Sequence, residues 1–133
     1  MPSAATIHVN VRCGDEGARC GAQELGAGCG LSGMVAAAAG AGHVVLADQV
    51  LYMLRENVAR NFAERAEVRE RIAVRELQWG DAAQTAAVGA PFDLLLGSDL
   101  MYVSEHWGQT ANAFSICRAA SLAKKYHRDR PAG

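Results

Sequence analysis

Short apolar runs alternate with helical segments through the middle of the chain. Residues 44–47 form one run that ends at Asp48, and residues 92–96, which are apolar except for Asp93, form another that ends in Gly97-Ser98-Asp99. Such continuously apolar runs are typical of strands buried on both faces. Because strands and helices alternate over short links, the pattern predicts an α/β fold in which helices cover both faces of a mostly parallel sheet.

The remaining elements follow from periodicity and residue type. Apolar residues at helical spacing predict a helix over residues 50–62, and helix-forming residues predict another over 31–39. Residues 72–77 predict a further strand. Residues 64–71 alternate in charge sign and indicate a solvated helix end or loop. Residues 82–91 are mostly small and predict a loop.

The length and composition are those of one folded domain. The chain has 133 residues, of which half are apolar and a fifth are charged, and this excludes a disordered chain. Only 6% of the residues are aromatic, so the core is expected to be thinly filled. Residues 1–23 show no sustained period and predict an irregular segment, whereas residues 111–133 predict a helix and a basic tail.

The charges nearly balance, with 13 basic and 14 acidic residues. This balance favours neither a general nucleic-acid binder nor a polybasic membrane anchor. The most apolar stretch, residues 31–47, is shorter than the ~20 apolar residues that span a bilayer. We therefore expect no nucleic-acid or membrane partner.

The cysteines indicate neither a metal site nor a disulfide framework. Zinc sites and disulfide frameworks normally show closely spaced pairs, which are missing among Cys13, Cys20, Cys29 and Cys117. The first residues also lack a basic segment followed by an apolar run. We expect reduced thiols, no metal and a cytoplasmic location, with organellar targeting as an open alternative.

Chemistry-bearing residues stand at the ends of the predicted strands. Gly26-Ala27-Gly28 follows Glu24, Asp48 ends the next strand, and Ser98-Asp99 ends a third. The carboxyl ends of parallel strands meet at one crevice, where α/β sheets bind their ligands. Asp48 lies twenty residues after Gly28, the spacing of an acid that accepts hydrogen bonds from a ribose. The sequence therefore predicts a ligand that contains a nucleoside.

Two nucleoside ligands compete for this turn. The residues from Gly28 to Gly33 match the G-x-G-x-x-G pattern of dinucleotide-binding proteins, which would indicate an NAD-dependent oxidoreductase. Glu24, however, would repel a pyrophosphate and attract a cation. S-adenosylmethionine carries an α-amino group and a sulfonium, so the residues favour it over NAD.

Four segments together resemble the seven-β-strand methyltransferases, and more narrowly the family-16 group of protein-lysine methyltransferases. Residues 24–33 are similar to the first motif of that family, and residues 54–58, 77–81 and 91–102 follow in the same order and spacing. The last segment contains Asp99-x-x-Tyr102, the signature of the group. The resemblance implies a Rossmann-like fold, a methyltransferase core over residues 24–110, and S-adenosylmethionine as cofactor.

The resemblance also implies roles for individual residues. Asp48 would hold the ribose, although capping of the following helix is an open alternative. Trp79 would pack on the adenine, although a place in the core alone is an open alternative. Asp99 and Tyr102 would face the lysine of a protein substrate and form the catalytic pair. The cofactor-binding residues implied together are Glu24, Gly26, Ala27, Gly28, Asp48, Trp79 and Ser98.

The sequence departs from the family pattern at both ends of the resemblance. Residues 19–23 are poor strand formers where the family has an aliphatic first strand. The chain ends soon after Tyr102, where the family fold needs further strands, so we expect a truncated member that lacks the C-terminal strands. A non-catalytic binding module and a methyltransferase with a different substrate stay open as alternatives.

Overall fold

The computed structural model describes residues 20–88, residues 92–100 and Gly108. This part of the chain contains four strands and four helices, and one or two helices separate each strand from the next. In chain order they are β1 (Gly21–Leu25), α1 (Leu31–Ala38), β2 (His43–Asp48), α2 (Leu51–Asn61), α3 (Ala66–Arg69), β3 (Ile72–Glu76), α4 (Ala82–Ala87) and β4 (Leu94–Gly97).

The four strands form one parallel sheet in the order β3-β2-β1-β4. Strand β1 pairs with β2 on one side and with β4 on the other, so that Leu25 lies beside both Ala47 and Gly97. The chain therefore builds outward from β1 to β3 and then crosses back to place β4 on the opposite side. The Rossmann-like α/β fold predicted from the sequence is confirmed.

Apolar clusters cover both faces of the sheet. On the first face, α1 and α2 pack against alternate strand residues such as Val44 and Leu46, neither of which is exposed. On the second face, Leu25 and Val45 pack against Leu77, Phe92 and neighbouring residues. Small residues fill much of the first cluster, as the composition predicted, because alanines of α1 lie directly on the sheet.

One sequence expectation for the first strand was wrong. Residues 1–23 were predicted to be irregular, yet β1 begins at Gly21, so that residues 21–23 form part of a strand although residues 19–23 are poor strand formers. The reason is that β1 is an interior strand and bonds to a neighbour on each side. Tertiary context of this kind overrides weak strand propensity. The division of the chain at residues 23 and 110 otherwise stays a prediction.

A helix stands where a loop was predicted over residues 82–91. Helix α4 begins after Asp81, whose carboxylate accepts a hydrogen bond from the backbone N–H of Gln84 at 2.9 Å. The Thr85 hydroxyl donates to the Asp81 carbonyl at 2.7 Å. The sequence carried this signal in Asp81-x-x-Gln84, the arrangement of a helix N-terminus, which the small residues obscured.

The other predicted elements are confirmed with small shifts at their ends, and the segment at residues 64–71 contains the one-turn helix α3. Cys20 is disulfide-bonded, so the prediction of reduced thiols was wrong for this cysteine. The predicted C-terminal helix, basic tail and missing strands lie outside the described residues. Within the described residues, none of the helices has the length and apolar character needed to cross a bilayer.

Gly33 allows α1 to lie close against the sheet. A Cβ at this position would overlap Leu46 Cδ2 and would stand 2.9 Å from Glu24 Oε2. We expect Gly33→Ala to lower the free energy of unfolding by about 1–3 kcal/mol through overpacking. Denaturant unfolding measures this, and Leu46→Val, which shortens the overlapping side chain, should recover part of the loss in the double variant. Strictly additive effects would show that Leu46 is not the obstacle.

Asp81 is the N-cap of α4, and its removal leaves the Gln84 N–H without its side-chain partner. We expect Asp81→Ala to lower the free energy of unfolding by about 0.5–2 kcal/mol. Asp81→Asn keeps an acceptor oxygen and should retain most of that stability. Equal losses in both variants would contradict a capping role.

Candidate functional site

A cavity of about 610 Å³ opens at the carboxyl edge of the sheet. Its walls come from the loops that follow all four strands. Every predicted site residue in the described part of the chain lines it, and Tyr102 lies outside that part. The residues brought together in this way are Glu24, Gly26, Ala27, Gly28, Asp48, Trp79, Ser98 and Asp99.

The strand order explains why the cavity lies where it does. After β1 the chain turns through α1 toward β2, whereas β4 lies on the other side of β1. The strand order therefore reverses at β1, and the cavity lies outside the carboxyl ends of the strands at this point. Open α/β sheets bind their ligands at this switch point, and the volume is within the range of roughly 300–1,000 Å³ typical of small-molecule sites.

The turn after β1 is held by backbone geometry that suits glycine. Gly26 and Gly28 have φ values of 59° and 55°, a region that residues with a Cβ adopt at a cost. A Cβ on Gly28 would have no atom within 4 Å, because this residue borders open space. The turn thus presents bare backbone to the cavity.

Asp48 fixes this turn to the end of β2. Its Oδ2 accepts a hydrogen bond from the Gly28 N–H at 2.8 Å, and its Oδ1 accepts one from the Val50 N–H at 3.0 Å. Helix α2 begins after Val50, which is its N-cap, so the alternative that Asp48 is the N-cap is wrong. Each carboxylate oxygen keeps a further lone pair with which to accept a bond from a ligand.

Glu24 is a buried carboxylate at the floor of the cavity, and only 3% of its surface is exposed. Its Oε2 accepts a hydrogen bond from the Gly33 N–H of α1 at 2.8 Å. Burial raises the pKa of Glu24, and the nearby Asp48 charge adds to the rise, while hydrogen bonds from Gly33 and Ser32 partly oppose it. A cation in the cavity would offset this desolvation.

Trp79 forms a wall of the cavity and also belongs to the apolar cluster beneath it. A Cβ on Gly26 would lie 3.1 Å from the indole and 2.5 Å from Leu100 Cδ2. The first glycine of the turn is therefore the surface against which Trp79 and Leu100 pack. Both interpretations of Trp79, as core and as cavity wall, describe part of its position.

Ser98 and Asp99 form the wall that follows β4, and both are exposed. Asp99 has a φ of 55°, a left-handed conformation that aspartate tolerates better than most residues. The carboxylate thus stands on a tight turn at the mouth of the crevice. Its predicted catalytic role, like the cofactor roles of the other residues, stays a prediction.

Several residues that line the cavity were not predicted from the sequence. They are sequence neighbours of the predicted site residues and carry no distinctive chemistry of their own. A loop at the end of a strand lines such a crevice along its whole length. Whole loops, and not single residues within them, would therefore have predicted the lining more completely. The residues missed in this way are Cys29, Leu31, Ser32, Gln49, Val50, Leu77 and Leu100.

The cavity lining is acidic and otherwise apolar or neutral. Glu24, Asp48 and Asp99 contribute carboxyl groups, and no lysine, arginine or histidine is among the described residues that line it. Carboxylates without basic partners favour a cationic ligand. Apolar side chains such as Leu31 and Val50 complete the walls. The arrangement suits a ligand with a positive charge, an aromatic or apolar part, and hydroxyl groups.

A protein-family model described as lysine methyltransferase matches residues 6–121. Among curated proteins, the chain is similar to protein N-lysine methyltransferase METTL21A of Mus musculus. The two are 40% identical over 88 residues, which cover 65% of this chain and 38% of the relative. The protein of the same name from Xenopus tropicalis is 38% identical over 93 residues, covering 68% of this chain and 40% of the relative. The chain spans about two fifths of the length of these relatives.

The raised pKa of Glu24 predicts a specific dependence of stability on pH. The folded protein holds this proton to a higher pH than the unfolded chain does. The free energy of unfolding therefore falls as pH rises from the ordinary glutamate pKa through the raised one, and levels off above it. We expect Glu24→Gln to remove this component in urea titrations at a series of pH values.

Glu56→Gln is the matched control, because Glu56 is an exposed glutamate on α2 that pairs with Arg60. This variant should keep the pH dependence that we assign to Glu24. If Glu24→Gln and the unsubstituted protein show the same slope across that range, the buried carboxyl does not titrate as described.

Proposed function

The chain belongs to the lysine methyltransferase family, and we propose from this that it binds S-adenosylmethionine in the cavity and methylates a lysine side chain of a protein. The observation that carries the proposal is the acidic lining of the cavity at the sheet's switch point. S-adenosylmethionine supplies a methyl group already activated by attachment to a sulfonium. The protein then has to bind the cofactor, align the lysine amine with the methyl group and keep that amine uncharged.

The residues of the cavity fit this cofactor by chemical type. The bare backbone at Gly28 borders open space and leaves room for the methionine part, and the Glu24 carboxyl suits a cationic headgroup. Asp48 offers free lone pairs to a ribose diol while it stays bonded to the turn. Trp79 offers an aromatic surface for the adenine.

The substrate lysine approaches from the open side in this proposal. Asp99 is exposed at the mouth of the cavity, where its carboxylate can accept a hydrogen bond from the incoming amine and orient it. The amine must lose its proton before it can act as a nucleophile, and a partly desolvated channel lowers the amine pKa in that direction. The proposed contact of Tyr102 with the amine stays a prediction, as does the cytoplasmic location.

The NAD alternative conflicts with the orientation of the glycines. In dinucleotide sites the second glycine of G-x-G-x-x-G lets the pyrophosphate approach the backbone. Here a Cβ on Gly30 would meet Leu54 Cδ2 at 2.7 Å and Leu46 Cδ1 at 3.0 Å, so this glycine faces the core. The Gly33 N–H is already bonded to Glu24. These features support the methyltransferase proposal.

Two isosteric substitutions test the proposal. Asp48→Asn should weaken S-adenosylhomocysteine binding by about 1–3 kcal/mol, because an amide keeps only one acceptor oxygen for the turn and the ribose. Asp99→Asn should leave that affinity unchanged and lower methyl transfer by ~10²-fold or more, because the amine loses its alignment. Calorimetry measures binding, and transfer of a labelled methyl group to lysate proteins measures activity.

The two variants also separate the alternatives. An Asp99→Asn protein that no longer binds S-adenosylhomocysteine would contradict the division into cofactor and substrate residues. Binding without transfer in the unsubstituted chain would favour a non-catalytic module. Retention of NADH in place of S-adenosylhomocysteine would favour the oxidoreductase.

A further inference from the structure

A second groove, separate from the cavity, runs along the outer edge of the sheet. It has a volume of about 450 Å³ and lies between β3 and the helices α2 and α3. Its floor consists of apolar side chains, including Val58, Ile72 and Val74. Its basic side chains are Arg55 from α2, Arg69 from α3 and Arg75 from β3.

These three arginines have no acidic partner in the described part of the chain. The ion pairs found there join Arg60 to Glu56 and Arg65 to Glu67, both outside the groove. No aspartate or glutamate is among the described residues that line the groove. Guanidinium groups that lack an ion-pair partner and line one groove favour an anionic partner.

The same groove exposes hydrogen-bonding groups of the backbone. Within the described sheet, β3 is an edge strand and pairs only with β2. Val44 N–H donates to the Arg71 carbonyl and Leu77 N–H donates to the Asp48 carbonyl. Because bonding groups alternate along a parallel strand, the peptide groups of Ile72, Val74 and Glu76 face the open edge.

One arginine lies across this edge. Arg75 Nη1 donates a 3.2 Å hydrogen bond to the Val74 carbonyl, one of the groups that face outward. Charged side chains on edge strands prevent uncontrolled pairing. The bond from the exposed Arg75 guanidinium to the Val74 carbonyl is long, so the guanidinium can readily leave it for a carboxylate. Arg75 would then free the edge of β3 for an acidic strand and bind a carboxylate of that strand.

We propose that this groove binds an extended, acidic segment of the protein substrate. The backbone of the segment adds to the open edge of β3, and its carboxylates pair with Arg55, Arg69 and Arg75. Strand addition of this kind takes affinity from the main chain and specificity from side chains. The proposal rests on the proposed function, because it assigns the groove to the substrate of that reaction.

The groove and the cavity are close enough to serve one substrate. Leu77, which lines the cavity, follows Arg75 by two residues. Asp99 lies beyond β4, which is three strand spacings from β3 and four from a strand added to the open edge of β3, or roughly 19 Å. About six extended residues span that distance. The acidic segment would thus flank the target lysine in the substrate sequence. The basic groove would bind the carboxylates of the segment, and the acidic cavity would face the lysine.

Fluorescence anisotropy with a labelled peptide that alternates glutamate and threonine tests the proposal. The unsubstituted chain should bind it and should not bind the matching glutamine–threonine peptide. The double variant Arg55→Gln/Arg75→Gln should weaken binding about tenfold. The control variant Arg60→Gln/Arg65→Gln changes the net charge equally outside the groove and should bind within twofold of the unsubstituted chain. Equal losses in both double variants would overturn the proposal.

A proline substitution tests the strand addition separately. Val74→Pro deletes an N–H that faces the open edge, which edge strands tolerate, whereas Val74→Ala keeps the N–H and loses a similar amount of packing. Peptide binding should fall at least fivefold in Val74→Pro relative to Val74→Ala, with both folded by circular dichroism. Equal binding by the two would overturn the main-chain contact, and displacement of the peptide by polyuridine would overturn the assignment to a protein.

Calorimetry with S-adenosylhomocysteine on the same samples separates this proposal from the proposed function. Peptide binding without S-adenosylhomocysteine binding would remove the methyltransferase assignment and leave an acidic-peptide site. S-adenosylhomocysteine binding without peptide binding would leave the enzyme and remove the groove.

Discussion

The close contact of α1 with the sheet is the constraint on which the rest of the structure depends. At Gly33 the backbone of the helix lies against Leu46 of β2 and against Glu24 of β1. The Glu24 carboxylate bonds to the Gly33 N–H across this contact, so helix and strand are joined by a buried polar bond as well as by packing. The position of α1 then fixes the turn between Gly26 and Gly30, and with it the floor of the cavity.

Opposite charges are separated on this small domain. Carboxyl groups line the cavity at the carboxyl edge of the sheet, whereas guanidinium groups line the groove along β3. The net charge of −1 conceals this separation, because composition carries no positions. An overall balance of charge therefore says nothing about local electrostatic fields, which act over roughly a Debye length of 10 Å.

The elements that could be predicted from the sequence are those whose own residues carry a local pattern, such as an apolar run. Strands β2 and β4 are continuous apolar runs, and their ends carried Asp48 and Asp99 to the same crevice. Strand β1 was not readable, because Gly21 and Ala22 form a strand only by virtue of neighbours that arrive later in the chain. Asp81 and Gln84 indicate the start of helix α4. The small residues between and after them nevertheless led to the prediction of a loop.

The parallel pairing of β1 with β4 has a consequence for synthesis on the ribosome. Leu25 pairs with Gly97, so the interior strand β1 keeps one side unsatisfied until β4 has left the exit tunnel. During that interval the nascent chain exposes unpaired backbone N–H and C=O groups along one side of β1, a state open to chaperones and to wrong pairing. Loop closure over such a separation is also slow compared with helix formation. Pairing on this side of β1 therefore has to wait for β4, which is made more than seventy residues after β1 begins.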